Sequence, residues 1–268
     1  NTFTRANLYL SAIDRPVLRG NRFVDGKGLG FGYAPGSPVW LGQIADLSEV
    51  EANRASGTAP QRVLQFASSG VRGTWTLGPA SVAVYVLADV TVESGGTMQV
   101  LDGALLKNAG DVRVLAGGTL TATGARVTAV GDDSVGGNSD GDNGSSSWPG
   151  FDVLSGAAAT ISGSTFTRAA VALDVNGDWF TAGGDADVSA TGSQFSENAF
   201  DIANGPKDEV GAVDAGGSFA LLISTHEHGC TRPAPNQDFY TRTLVDVEGT
   251  GRQDDPPCKP GYVESDSH

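Results

Sequence analysis

The chain has 268 residues, 39 % of them hydrophobic, with a further 38 glycines, and so can bury a sizeable core as one elongated domain or two ordinary ones. Its 31 acidic residues outweigh 17 basic ones, giving a net charge of -14 and a sequence pI near 4.4, a balance that repels phosphates and excludes nucleic acid as a partner. No apolar run reaches the roughly 18 residues that a membrane-spanning helix needs.

Elements follow in chain order. The opening line, NTFTRANLYL from Asn1, is nearly rewritten as STFTRAAVAL from Ser164. Thr2 to Ala6 match Thr165 to Ala169, and alternating Leu8 and Leu10 correspond to Val171 and Leu173. A line used twice reads as one rung of a repeating coil. Residues 1–30 are therefore expected to be rungs continuing from an earlier part. With no starting Met and no leader, the chain is expected to be a mature segment or an excised piece.

Residues 31–75 do not repeat. They carry Pro35, Pro38 and Pro60, along with Trp40 and Trp75, and are expected to form a connector or a cap. Asp46 to Arg54 is the one predicted helix, with Asp46 as its cap.

Residues 76–225 hold the clearest repeat. Val92 to Met98 aligns with Val114 to Leu120, 22 residues on, and Val153 to Gly156 returns after 39 more. A second marker, Gly-x-x-apolar, begins at Gly103, Gly124, Gly163 and Gly192. The basic period is about 21–22 residues, with insertions in some turns. Between the glycines, Val90 to Val92, Thr97 to Val100, Val112 to Val114 and Thr119 to Ala122 alternate with period 2, as half-buried strands do. Three short strands per repeat predict a parallel β-helix, a coil whose inward Val, Leu, Ile and Phe stack into a core. A leucine-rich repeat has a similar period, but its consensus is absent; a β-sandwich is the competing all-β fold. Residues 226–268 form a polar tail rich in proline.

The stretch from Tyr85 to Gly156 resembles a module of large bacterial surface or secreted right-handed β-helix proteins, within the pectin-lyase-like fold group. The resemblance rests on the rung Gly96 to Val100, the Asp/Gly/Asn-rich loop Asp132 to Asp142 containing DDSVGG, and the Trp-Gly line Trp148 to Gly150. It spans roughly residues 76–200 and, more loosely, 1–25. The usual Trp-Gly-Gly-Ile reads Trp148, Pro149, Gly150, Phe151 here. It implies a fold and an extracellular or cell-surface location rather than an activity. In that setting Cys230 and Cys258, the only two cysteines, are expected to close the tail with a disulfide.

Two acidic insertions are candidate calcium sites, because calcium takes six to eight oxygens on a flexible, Gly-bent loop. The first offers Asp132, Asp133, Asn138, Asp140 and Asp142; the second offers Asp174, Asn176 and Asp178 at i, i+2, i+4 spacing. Neither completes a helix–loop–helix calcium motif, and solvated acidic turns share this composition. His226, Glu227 and His228 complete no metalloenzyme spacing, which favours a surface turn over a zinc site.

The expected role is structural or adhesive, with a polysaccharide or cell-surface ligand as partner and calcium in the acidic loops. The alternative is a polysaccharide lyase or glycoside hydrolase acting on acidic polysaccharide. Its candidates are the basic Lys107, Arg113 and Arg126 and the acidic Asp152, Asp174 and Asp187. A basic residue stacked beside an acidic cluster on one face of the coil separates the two. A carbohydrate-binding module needs exposed aromatics in a line, and Trp75, Trp148 and Trp179 are too few to supply one.

Overall fold

The computed structural model describes residues 1–79, 81, 83–141, 147–175, 186–198 and 200–204, and the backbone of strands at 213–214, 224–231, 239–246 and 263–265. The described chain is all-β, without an α-helix, and its sheets are parallel except where the last three strands of the large sheet pair antiparallel; they do not close into a barrel. This architecture is consistent with a solenoid.

One repeat shows the construction. Thr97–Val100, Leu105–Asn108 and Val112–Val114 lie on three successive faces, here called one, two and three. The chain then returns to face one at Thr119–Thr123, which pairs in parallel with Thr97–Val100, Met98 opposite Leu120. Face one runs from Thr74–Leu77 through Ala158–Ser162 and Asp187–Thr191. Face two includes Leu8–Ser11, Val39–Gly42, Arg126–Ala129, Thr165–Thr167 and Gln194–Ser196. Face three includes Phe151–Val153 and Val171–Val175. Two long strands, Val63–Val71 and Val84–Val92, cross from face two to face three. They bend at Ser68 (φ 47°) and Asp89 (φ 54°), whose left-handed backbone turns the corner. Antiparallel strands Ser224–Thr231, Phe239–Asp246 and Val263–Ser265 follow the last parallel one.

Alternation explains the core. On face one Trp75, Met98, Leu120, Ala159 and Val188 stand in one inward ladder, each at most 1 % exposed. On face two Leu64, Tyr85, Leu106, Val127, Phe166 and Phe195 do the same. Each large apolar side chain buried this way stabilises the stack by about 1.5–3 kcal/mol before entropy is counted.

The repeated line has one structure in both places. Thr2–Thr4 and Thr165–Thr167 are strands, and both end at a left-handed arginine, Arg5 (φ 52°) and Arg168 (φ 59°). Phe3 stacks on Phe23 at 5.1 Å, and Phe166 on Phe195 at 5.2 Å.

Two sequence expectations are corrected. The stretch Asp46 to Arg54 is not a helix: it holds Val50–Glu51 and the start of Arg54–Ser56, which pair with earlier strands. Asp46 instead accepts the amides of Ser48 and Arg72, each at 3.0 Å, and shapes a turn. Cross-strand pairing overrides a weak local helix preference. The stretch 31–75 is also more than a connector, since Val39–Gly42 and Val63–Val71 occupy consecutive places in the face-two ladder. Pro35 and Pro38 fall before Val39–Gly42 and Pro60 before Val63–Val71, where no ladder amide is lost.

Candidate functional site

The first acidic loop lies over the outside of face two. There Lys107 stands in the outward ladder between Val86 and Thr128. Leu105, Val84 and Val63 line the neighbouring ladder and join Ala34, Val86 and Val130 in a second apolar cluster outside the main core. The loop covers this patch and buries Lys107 completely; its Nζ donates to the Gly137 carbonyl at 2.6 Å. Burial pushes the Lys107 ammonium below its ordinary value, against the pull of Asp132, Asp133 and Asp140.

Asp132 is held by its own partners. Thr128 donates to it at 2.7 Å, the Ser134 hydroxyl at 2.5 Å, and Arg168 forms an ion pair at 3.5 Å. Burial raises its pKa, but these hydrogen bonds and Arg168 more than reverse that, and it lies below the usual carboxylate range. Asn138 accepts the Gly141 amide at 2.6 Å and closes a turn. The predicted calcium loop is thus organised around a fixed ammonium. Among the described residues, no group of three or more His, Cys, Asp or Glu is arranged to hold a metal. Asp142, Asn176 and Asp178 lie outside the described residues, as does Cys258; the side chains of His226, His228 and Cys230 are likewise outside them.

The outside of face three carries a second constellation. In-register pairing places Thr91, Arg113, Asp152 and Asp174 in one outward ladder. Neighbours in such a ladder stand about 4.8 Å apart. Arg113 pairs with Asp111 at 2.8 Å and with Asp152 at 3.4 Å. Burial and then the carboxylates of Asp174 and Asp111 push Asp152 up to about 7, partly offset by Arg113. Thr91 also lines a cleft of about 470 Å³ with Gln43, Arg72, Asp89 and Glu93. The structure therefore brings together Arg113, Asp152 and Asp174 of the six predicted catalytic candidates. Arg126 stands on the outside of face two, Asp187 on that of face one, and Lys107 under the loop.

The Asp152 shift has a signed consequence. Through the window from 3.8 to about 7 the folded chain keeps a proton that the unfolded chain has released. The stability this gives is fully present below 3.8 and is lost as pH rises through 7. Asp152→Asn is expected to match the parent chain at pH 3.5 and to exceed it at pH 8 by about 2 kcal/mol, half the full linkage value because the carboxyl side chain keeps 26 % of its exposure. Urea unfolding at the two pH values measures this; equal midpoints at pH 8 would remove the shift.

Aromatic placement differs from the sequence expectation. Trp75 and Trp148 are core residues whose indole N–H groups donate to the Val50 and Thr167 carbonyls; Trp179 is outside the described residues. A different set reaches solvent: Tyr9 and Phe31, packed against the half-buried Trp40; Tyr33 is exposed as well. Sequence reasoning missed it because Tyr9 and Trp40 meet only through strand register across 31 residues. No helix among the described residues is long and apolar enough to cross a membrane.

No known family matches this chain, and no curated protein or solved structure is detectably similar to it.

Proposed function

We propose that the chain is a segment of an extracellular right-handed parallel β-helix of the bacterial surface and secreted kind, within the pectin-lyase-like fold group, serving as a rigid shaft with a structural or adhesive role toward a polysaccharide or cell-surface ligand. The observation that carries this reading is the unbroken in-register ladder, continuous on face two from Leu8–Ser11 to Gln194–Ser196. Each repeat is braced by its neighbours, so stiffness accumulates along the stack. The net charge of -14 suits a solvated surface. Calcium belongs to this reading at Asp174, where Asp152 and Asp174 are neighbours in one outward ladder and offer two carboxylates side by side. Around Lys107 a fixed ammonium takes that part. A Tm higher in calcium than in chelator is expected; no difference would remove calcium from the reading.

One observation favours the enzyme reading: Arg113 stacked beside Asp152 and Asp174, next to a cleft. In it Asp152 would act as the acid on a glycosidic oxygen and Arg113 would hold a substrate carboxylate. Polyuronates and neutral glycans incubated with the chain, with calcium and with chelator, separate the two. New reducing or unsaturated ends that vanish in Asp152→Asn would replace the shaft reading with an acidic-polysaccharide hydrolase or lyase. The shaft reading expects none.

A further inference from the structure

We propose that the outer strip of face two through Gln65, Val86 and Lys107 is a docking site for an acidic, extended segment of a partner protein, and that residues 131–141 fill it as a displaceable stand-in; this rests on the adhesive reading above and names its partner.

Local charge sets the sign of the guest. By register, the outward positions of face two, from Val63 and Gln65 through Gln194 and Ser196, carry Lys107 and Arg126 and not one carboxylate. The acid here comes from the loop. Burial pushes the Lys107 ammonium below its ordinary value, and the loop's Asp132, Asp133 and Asp140 pull against that.

The groups around Lys107 select a peptide. Its Nζ donates to a main-chain carbonyl, that of Gly137, at 2.6 Å. Beside it runs the apolar column of Val63, Val84 and Leu105, in a buried cluster against which the loop's Val135 packs. A peptide brings carbonyls, carboxylates and aliphatic side chains together. An acidic polysaccharide has no aliphatic side chain for that column and would leave it in water.

The loop layer fits the strip incompletely. Buried polar groups in folded proteins are nearly all paired. Gln65 is fully buried, and its Oε1 accepts the amides of Tyr33 and Ala34 at 2.6 Å and 3.2 Å, but its Nε2 has no partner. Asp133 Oδ1, in the loop, is also buried without a partner. A donor on the strip and an acceptor in its cover are thus both left over, as a stand-in leaves them.

Tethering keeps the loop in place when no partner is present. A segment joined to its site competes at an effective concentration of about millimolar. A free acidic peptide therefore enters only when the loop is lifted, or when it makes contacts beyond those of the loop.

Two full-length variants lift the loop. At Gly136 the φ is 71° and a Cβ would stand 2.5 Å from Leu105 Cδ2, so Gly136→Val cannot keep the closed pose. Gly137→Ala acts the same way against the Ala59 Cβ, at 2.9 Å and φ 78°. Thermal scans check that both variants fold, and hydrogen exchange checks that residues 131–141 open. The probe is a fluorescent peptide with the sequence of residues 131–141, GDDSVGGNSDG, and a neutral form with Asn at its three Asp positions. Fluorescence anisotropy is expected to give a Kd roughly tenfold or more tighter for both opened variants than for the parent chain. The gain should vanish with the neutral peptide and when Lys107→Met is added. Equal binding by parent and opened variants, no binding by either variant, or binding that survives Lys107→Met would overturn the proposal. So would tighter binding of polygalacturonate than of the peptide, and so would a loop that opens in neither variant short of global unfolding. The glycan incubation described above reports on the shaft reading separately: products refute that reading, whereas absent peptide binding without products refutes only the docking site.

Discussion

Replacing Phe166 with alanine is expected to destabilise the chain by about 3–5 kcal/mol. The ring is fully buried, stacked on Phe195 at 5.2 Å and edge-on to Phe151 at 5.8 Å. Neighbouring rungs lie on both sides and brace the cavity, so little of the void can collapse. Phe3 is the same residue in the same line of sequence, with Phe23 as its stacking partner and part of its surface still in water. Phe3→Ala is therefore expected to cost about 1 kcal/mol. For a chain of this size each kcal/mol moves Tm by roughly 2–4 °C, so the two variants should separate clearly in a thermal scan. Equal losses at the two positions would mean that the two copies are equally enclosed, against the ladder described here.

Lys107→Glu is expected to cost about 4 kcal/mol or more, enough to release the acidic loop from face two. It would place a fourth carboxylate, fully buried, beside Asp132, Asp133 and Asp140. Lys107→Met is the informative comparison. The lowered pKa means that burying the ammonium costs more than the three carboxylates return. Methionine removes that cost and keeps the apolar stem under the loop, at the loss of the hydrogen bond to Gly137. The two effects oppose, and the net change is expected to stay within about 1 kcal/mol. Urea unfolding, combined with limited proteolysis of residues 131–141, measures both. A severe loss in Lys107→Met would show that the ammonium is a net stabiliser; a mild Lys107→Glu would show that the loop is not packed over the strand.

Local pattern and chemistry explain what was legible in advance. Alternating residues in Thr97–Val100 and Thr119–Thr123 specify half-buried strands by themselves, because side chains in a strand point to opposite faces. Glycine at 95, 117 and 156, each with positive φ, marks the same turn in successive repeats. The acidic character of residues 132–140 was equally plain, but whether those carboxylates faced a metal, water or a lysine was not.

The sequence by itself determined the period, the strands between 90 and 123, the all-β class and the sign of the surface charge, since each depends on residues a few positions apart. Only the tertiary structure decided the partners. Insertions of unequal length between rungs mean that Arg113 meets Asp152 across 39 residues and Asp152 meets Asp174 across 22. The same register set Trp40 on Tyr9 and placed Val39–Gly42 in the stack despite its flanking prolines. Lys107 was hidden for a related reason: a charged residue on an outward strand position reads as solvated until a loop 30 residues away folds over it. Pairing energy is gained between whole strands, so the register that satisfies the ladder selects the neighbours of every outward side chain, whatever their distance along the chain.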